Sequence, residues 1–168
     1  MAGGGKHGGR SATPATRVLD AAGVPYRTMS YEHDASTPSY GLEAAEKLGV
    51  PAEAVFKTLM VSVDGRLAVA MVPVAGTLDL KKVASLLGTR KAFIADRAEA
   101  EKRTGYVVGG ISPLGQRLPS PAVIDSSAEL LESIYVSGGR RGFEIVLSPF
   151  DLIRLTEAKT GPIAVYKA

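Results

Sequence analysis

Residues 55–63 read Val-Phe-Lys-Thr-Leu-Met-Val-Ser-Val, and Asp64-Gly65 and a second apolar run over 67–72 follow at once. β-Branched and apolar residues in a run of this length favour a strand. Asp-Gly between two such runs favours a type I′ hairpin. An antiparallel hairpin is therefore the element around which the rest of the chain must pack. Alternation puts Val55, Lys57, Leu59, Val61 and Val63 on one face, and Phe56, Thr58, Met60 and Ser62 on the other. Lys57 thus points with the more apolar set, where an unpaired ammonium is costly. Two readings of Lys57 stand side by side. It is a functional cation, or it snorkels at a rim or pairs with a carboxylate.

Helix signals surround the hairpin. Thr13 as N-cap, Pro14 in the first turn and Gly23 as terminator bound a first helix. A strand over 26–31 and a polar loop over 32–38 lead into a second helix ending near Gly49. Asp79 caps a helix with apolar Leu80, Val83, Ala84 and Leu87, closed by Gly88. A strand over 91–95 precedes a charged helix that opens at Asp96 with Glu99 and ends at Gly105. Short strands are expected over 106–108, 122–125, 134–137 and 143–147. Ser148-Pro149 with Asp151 opens a helix through Leu155, and a last strand is expected over 163–166. Strands and helices interleaved this irregularly around a hairpin argue α+β rather than a doubly wound sheet.

The chain has 168 residues, which suits one domain over 13–168 with a real core. The glycine-rich residues 1–12 carry almost no apolar side chains and read as a disordered tail. No apolar run approaches the length of a membrane span. The chain lacks cysteine, so it has no disulfide and no thiol nucleophile, which fits a cytoplasmic home. A formal net charge of +3 permits a nucleic-acid partner without requiring one.

Several chemistries find no support. There is no Gly-Lys-Ser/Thr phosphate loop and no Gly-x-Ser-x-Gly nucleophile elbow. His7 and His33 are far apart, so no metal ligand set is expected, and no cofactor. A Ser-His-Asp triad would have only His33 to use. What remains is one cation and two glycine loops, residues 105–115 and 135–142. That set suits an anionic or ester-bearing ligand. An enzyme so built relies on positioning and electrostatic stabilisation, with water or the substrate supplying the attacking group.

Seven segments, taken in order, carry a resemblance. They are Tyr31-Glu32-His33-Asp34, Phe56-Lys57-Thr58-Leu59, Pro73-Val74-Ala75-Gly76 and Leu78-Asp79-Leu80-Lys81-Lys82, then Thr104-Gly105-Tyr106-Val107-Val108, Gly109-Gly110-Ile111-Ser112-Pro113-Leu114-Gly115 and Tyr135-Val136-Ser137-Gly138-Gly139. Together they resemble the YbaK family of aminoacyl-tRNA deacylases, free-standing relatives of the editing domain inserted in bacterial prolyl-tRNA synthetases. Each segment is weak alone, but the ordered set covers residues 13–166 and is specific.

The resemblance implies an α+β fold around a small mixed β-barrel or sheet with helices outside. It implies hydrolysis of the ester that joins an amino acid to the terminal adenosine of a mischarged tRNA. In the YbaK branch the amino acid is cysteine on tRNA for proline, and the substrate's own thiol displaces the ester as a cyclic thiolactone. Prolyl-tRNA synthetase is the partner that would help select the tRNA. Lys57 matches the family's functional lysine, and Gly109, Gly110, Ile111, Ser112 and Pro113 match the loop that receives the terminal adenosine. Ser137, with Gly138 and Gly139 after it, matches a polar pocket contact, and Tyr31 matches a pocket aromatic.

Two positions depart from the pattern. Tyr40 stands where phenylalanine is typical, and Glu144 where aspartate is typical. Glu144 is expected either to pair with Arg140 or Arg141 or to orient Lys57. Both positions bear on amino-acid specificity more than on the reaction, so alanine or another small residue is an alternative substrate. A non-catalytic module that binds aminoacyl-tRNA or the synthetase is another alternative. Arg140, Arg141, Lys81, Lys82, Arg90, Lys91, Lys102, Arg103 and Arg117 are the candidate phosphate contacts.

Overall fold

The computed structural model describes residues 12–37 and 39–166. The tail expected over 1–12 therefore lies, but for Ala12, outside the described residues. In chain order the elements are α1 (Pro14–Ala22), β1 (Arg27–Ser30), α2 (Tyr40–Leu48), β2 (Phe56–Val63), β3 (Arg66–Pro73), β4 (Thr77–Leu78), α3 (Leu80–Leu87), β5 (Ala92–Ile94) and α4 (Arg97–Thr104). Then come β6 (Ala122–Asp125), a 3-10 helix (Ser126–Leu130), β7 (Ile134–Arg140), β8 (Phe143–Leu147), α5 (Pro149–Thr156), β9 (Lys159–Gly161) and β10 (Ala164–Val165). The class is α+β.

The helix ends follow their capping residues. Thr13 Oγ1 accepts from the Thr16 amide, Asp79 from Lys81 and Lys82, Asp96 from Glu99, and Ser148 from Phe150. The β2–β3 turn has positive φ at both Asp64 (47°) and Gly65 (81°), as a type I′ turn requires.

β2 and β3 pair antiparallel along their whole length inside a five-stranded sheet of order β5-β2-β3-β6-β9, in which β6 joins β3 and β9 in parallel. A three-stranded antiparallel sheet, β1-β8-β7, and the pair β4/β10 complete the strands. The two larger sheets meet where Val55 bridges Tyr135 in parallel and the Tyr135 amide donates to the Ala54 carbonyl. The sheets remain open rather than closing into a barrel.

Both faces of the hairpin are buried. Phe56, Met60, Val69 and Met71 pack with α1 and with β7 and β8, and Val61, Val63, Ala68 and Val72 pack with Val83 and Ala84 of α3. A third cluster joins Ala44 and Ala45 of α2 to Val55 and Val74.

The strand expected over 106–108 is a turn. Tyr106 is buried with its hydroxyl on the Leu114 carbonyl, and side chains rather than a neighbouring strand take the Val108 backbone groups. The last strand shrinks from 163–166 to Ala164–Val165, and the amides of Ile163 and Ala164 bond to Asp125. β4, β9 and the 3-10 helix were not expected. Among the described residues no helix is long and apolar enough to cross a membrane.

Candidate active site

The edge of β2 that faces away from β3 has two partial neighbours. β5 covers residues 61–63, with one further bond from the Ala95 amide to the Met60 carbonyl, and β7 touches the strand at Val55. Between those neighbours the sheets diverge, and Lys57, Thr58 and Leu59 border a cavity of about 340 Å³. Because that stretch of edge is open, residues from both faces of β2 reach it. A cavity of this size, mostly apolar with a few convergent polar groups, suits a small ligand.

Lys57 is half-buried, and no hydrogen bond or ion pair to its ammonium is found among the described residues. Burial pushes its ammonium below the usual lysine range. Its stem lies beside the first turn of α2. A Cβ at Gly41 would sit 3.9 Å from the Lys57 Cβ and 2.3 Å from Val74 Cγ1, so only glycine lets α2 start this close to β2. Thr58 Oγ1 is buried in the same wall without a hydrogen-bond partner among the described residues. Such a group normally has one.

Glu144 on β8 lines the opposite wall, directly across the ladder from Ser137, which also lines it. Burial raises the Glu144 carboxyl to about 8, so it carries its proton at neutral pH. The expected pairing with Arg140 or Arg141 is not what the structure shows. Arg140 stacks 4.1 Å over the Phe143 ring, and Arg141 donates through Nε and Nη2 to the Val108 carbonyl at 3.0 and 2.7 Å. No ion pair joins Glu144 to Lys57 either. In so apolar a setting a carboxyl remains neutral rather than bear an unpaired charge.

Tyr31 and Tyr40 stand at the cavity's other side. The Tyr31 hydroxyl is pushed up to about 12, by burial first and then by Glu144 and Glu43. The segment between the two tyrosines is held by Glu43, a buried residue of α2. One Glu43 oxygen lies 2.6 Å from His33 Nδ1, and the other accepts from the Asp34 amide at 2.7 Å and lies 3.2 Å from Lys47 Nζ. Burial alone would raise the Glu43 carboxyl, but these partners outweigh it and hold it below the usual range.

The two glycine loops meet. A Cβ on Gly110 would lie 2.8 Å from the Arg140 Cα, so the loops touch backbone to backbone. Gly109 (φ 91°) and Ile111 line the cavity, and a Cβ on Gly109 would enter the Tyr40 ring at 2.7 Å. Gly110, Ser112 and Pro113 pack behind that lining, with Ser112 Oγ accepting from the Leu114 amide. Gly138 and Gly139 also sit behind it, against Phe143 and against Tyr106 and Thr13. Val108, which precedes Gly109, is gripped at both ends of its peptide units. Its amide donates to Glu101 of α4 at 2.7 Å, and its carbonyl accepts from Arg141.

Thr58, Ser39, Ile94 and Arg97 also border the cavity but were not singled out from the sequence. Alternation had put Thr58 on the face opposite Lys57, and the other three reach the site only through tertiary placement. Among the described residues there is no group of three or more His, Cys, Asp or Glu side chains placed to hold a metal.

Comparison with known proteins bears on this site. Residues 36–155 match the aminoacyl-tRNA editing domain family. A relative from Enterococcus faecalis, named as a candidate Cys-tRNA(Pro)/Cys-tRNA(Cys) deacylase, EbsC, is 35% identical over 154 residues, 90% of this chain and 92% of the relative. Among solved structures, one described as a candidate trans-editing enzyme for prolyl tRNA synthetase superposes with a TM-score of 0.78 at 25% identity, covering 92% of this chain and 99% of that one. A second, a hypothetical protein designated APE2540, gives 0.80 at 25% identity over 91% of this chain and all of that one. The chain belongs to the aminoacyl-tRNA editing domain family.

Proposed function

We propose that this member of the family is a free-standing deacylase that removes cysteine from tRNA for proline. The observation that carries the reading is Lys57: a half-buried cation with no anionic partner among the described residues, facing a mostly apolar cavity. A cation held there would polarise the carbonyl of a bound ester, where a preorganised charge is worth far more than in water. The name of the Enterococcus faecalis relative supports the aminoacyl group, and the description of the superposable structure supports action in trans beside prolyl-tRNA synthetase.

The chain supplies no thiol of its own. In the proposed reaction the cysteinyl sulfur attacks its own ester carbon, a C–S bond forms, and the C–O bond to the ribose breaks. The thiol proton passes to the departing ribose oxygen, and a thiolactone leaves. Lys57 is the residue assigned to the carbonyl. Gly109 and Ile111 hold the terminal adenosine with Gly110, Ser112 and Pro113 packed behind them, and Ser137 is a polar contact in front of Gly138 and Gly139. Tyr31, Tyr40 and Glu144 border the amino-acid end. The reading needs no metal or cofactor, takes 13–168 as one working domain, and places the enzyme with the translation machinery in the cytoplasm.

Single-turnover deacylation of cysteinyl-tRNA for proline tests this. Wild type should release cysteine rapidly, and Lys57→Ala should slow release by roughly 10²–10³-fold, the effect typical of removing one electrostatic stabiliser of the transition state. The serine-charged analogue should be released far more slowly than cysteine. Equal release of both would point to attack by water. Cleavage of alanyl-tRNA with cysteinyl-tRNA left intact would keep the reaction and overturn the substrate. Tight binding without any release would leave only a binding module.

A further inference from the structure

β5 is one of the two edge strands of the five-stranded sheet and forms one lip of the cavity. An exposed apolar edge is a liability that folds normally blunt. Yet Phe93 is 60% exposed and Ile94 58%, on opposite faces of a three-residue strand. Ile94 shares the face of Leu59 and Lys57 and lines the cavity itself. Phe93 lies beside Ser62, over a surface depression that Arg90, Lys91 and Asp64 border. Arg97, at the start of α4, borders the cavity just beyond β5.

The charges around β5 differ from those at the glycine loops. Arg141 is spent on Val108, Arg140 stacks on Phe143, and Arg103 donates to Ser120 and Pro119. The side chains of Arg90 and Lys91 make no hydrogen bond or ion pair among the described residues. The acids nearby keep their charge, but none is ion-paired to Arg90 or Lys91. Asp64 accepts from the Arg90 amide and Asp96 from the Glu99 amide. Arg97 is ion-paired with Glu101 at 3.6 Å, and Glu101 also accepts from the Val108 amide. The lip therefore carries two unpaired basic side chains, Arg90 and Lys91, beside an exposed aromatic ring and an exposed aliphatic side chain, and is continuous with the cavity through Ile94. Basic groups interleaved with stacking surfaces are what a protein uses to hold a single-stranded nucleic acid without base readout.

We propose that the β5 segment is the track for the nucleotides that precede the terminal adenosine of the tRNA acceptor end. Phe93 stacks on a base, Ile94 packs a ribose at the cavity mouth, and Arg90 and Lys91 meet the phosphates. The proposal rests on the reading that the substrate is an aminoacyl-tRNA.

The test compares two substrates, cysteinyl-tRNA and cysteinyl-adenosine, which lacks the preceding nucleotides. Phe93→Ala should raise KM for cysteinyl-tRNA about tenfold, the usual effect of removing one base–aromatic stack, and leave cysteinyl-adenosine unchanged. Replacing Arg90 and Lys91 with alanine together should flatten the dependence of log KM on log salt by about 1.4 for the tRNA, roughly 0.7 for each phosphate no longer neutralised. Unchanged KM for the tRNA, or equal effects on both substrates, overturns the track. So does a Phe93→Ala variant that changes the sedimentation of the protein, because β5 would then be covered by a second copy. If wild type cleaves neither substrate, the functional reading fails. Binding of the uncharged trinucleotide CCA then decides the track by itself: weaker binding by Phe93→Ala upholds it, and equal binding overturns it.

Discussion

Glu144 is a buried carboxyl that faces a cavity, with neither a cation nor a hydrogen bond among the described residues to hold its charge. Its carboxyl is raised from 4.5 to about 8, so the folded protein keeps a proton that the unfolded chain has given up. The sign of the linkage follows. The folded state binds more protons between those values, so the group's contribution is intact below about pH 4.5 and is lost as pH rises to about 8. Glu144→Gln keeps the shape and cannot ionise. Its denaturation midpoint relative to wild type should therefore climb steadily from pH 5 to pH 8, and parallel profiles for the two proteins would refute the protonated carboxyl. Residue by residue, the sequence showed Lys57 because a lysine in an alternating apolar run is conspicuous. It did not show that Glu144 stands apart from Arg140 and Arg141, since that depends on where those two guanidinium groups turn. Nor did it show Thr58, which alternation assigns to the far face and an open strand edge brings back.

Among the elements, those with capping chemistry were legible in advance. α1, α3 and α4 begin and end at the residues their N-caps and glycines mark. Residues 106–108 are the instructive exception, because Tyr-Val-Val has strong strand propensity but no strand to pair with. Glu101 and Arg141 take the Val108 amide and carbonyl instead and fix the loop that carries Gly109 and Ile111 to the cavity. Propensity yields to side-chain bonds, one from seven residues upstream and one from 33 residues downstream, which strand propensity does not register. Arg141 and Glu101 are thus positioning residues for that loop. Arg141→Lys would lose the two-pronged bond and the stacking 5.0 Å over the Tyr40 ring. Each hydrogen bond to a charged group is worth about 1.5–3 kcal/mol. The substitution should lower deacylation severalfold, mainly through KM, with a smaller fall in melting temperature. Wild-type kinetics in this variant would show that the loop is held by its packing against Tyr40 and β7 alone.

At the scale of the whole molecule, the interleaving of short strands and helices announced an α+β fold, and the comparisons agree with it. The cavity itself was not legible, because it forms where β5 and β7 stop short of each other along β2, and registers between distant strands set that gap. Buried polar ties join distant parts of the sheet, and Asp125 is one of them. One oxygen accepts from the Ile163 and Ala164 amides, each at 2.9 Å, and the other from the Ser127 amide at 3.2 Å. A single carboxylate at the end of β6 thereby fixes the 3-10 helix and the segment entering β10, which closes on β4. Asp125→Ala would remove all three bonds and strand buried amides, each of which costs about 1–3 kcal/mol when left unsatisfied. We expect a loss of about 3 kcal/mol or more in urea denaturation, with Asp125→Asn losing less because its amide oxygen can still accept. None of these partners lines the cavity. Deacylation per folded molecule should therefore stay near wild type in Asp125→Asn, and a rate that falls in step with stability would mean that the β10 end of the sheet also shapes the site.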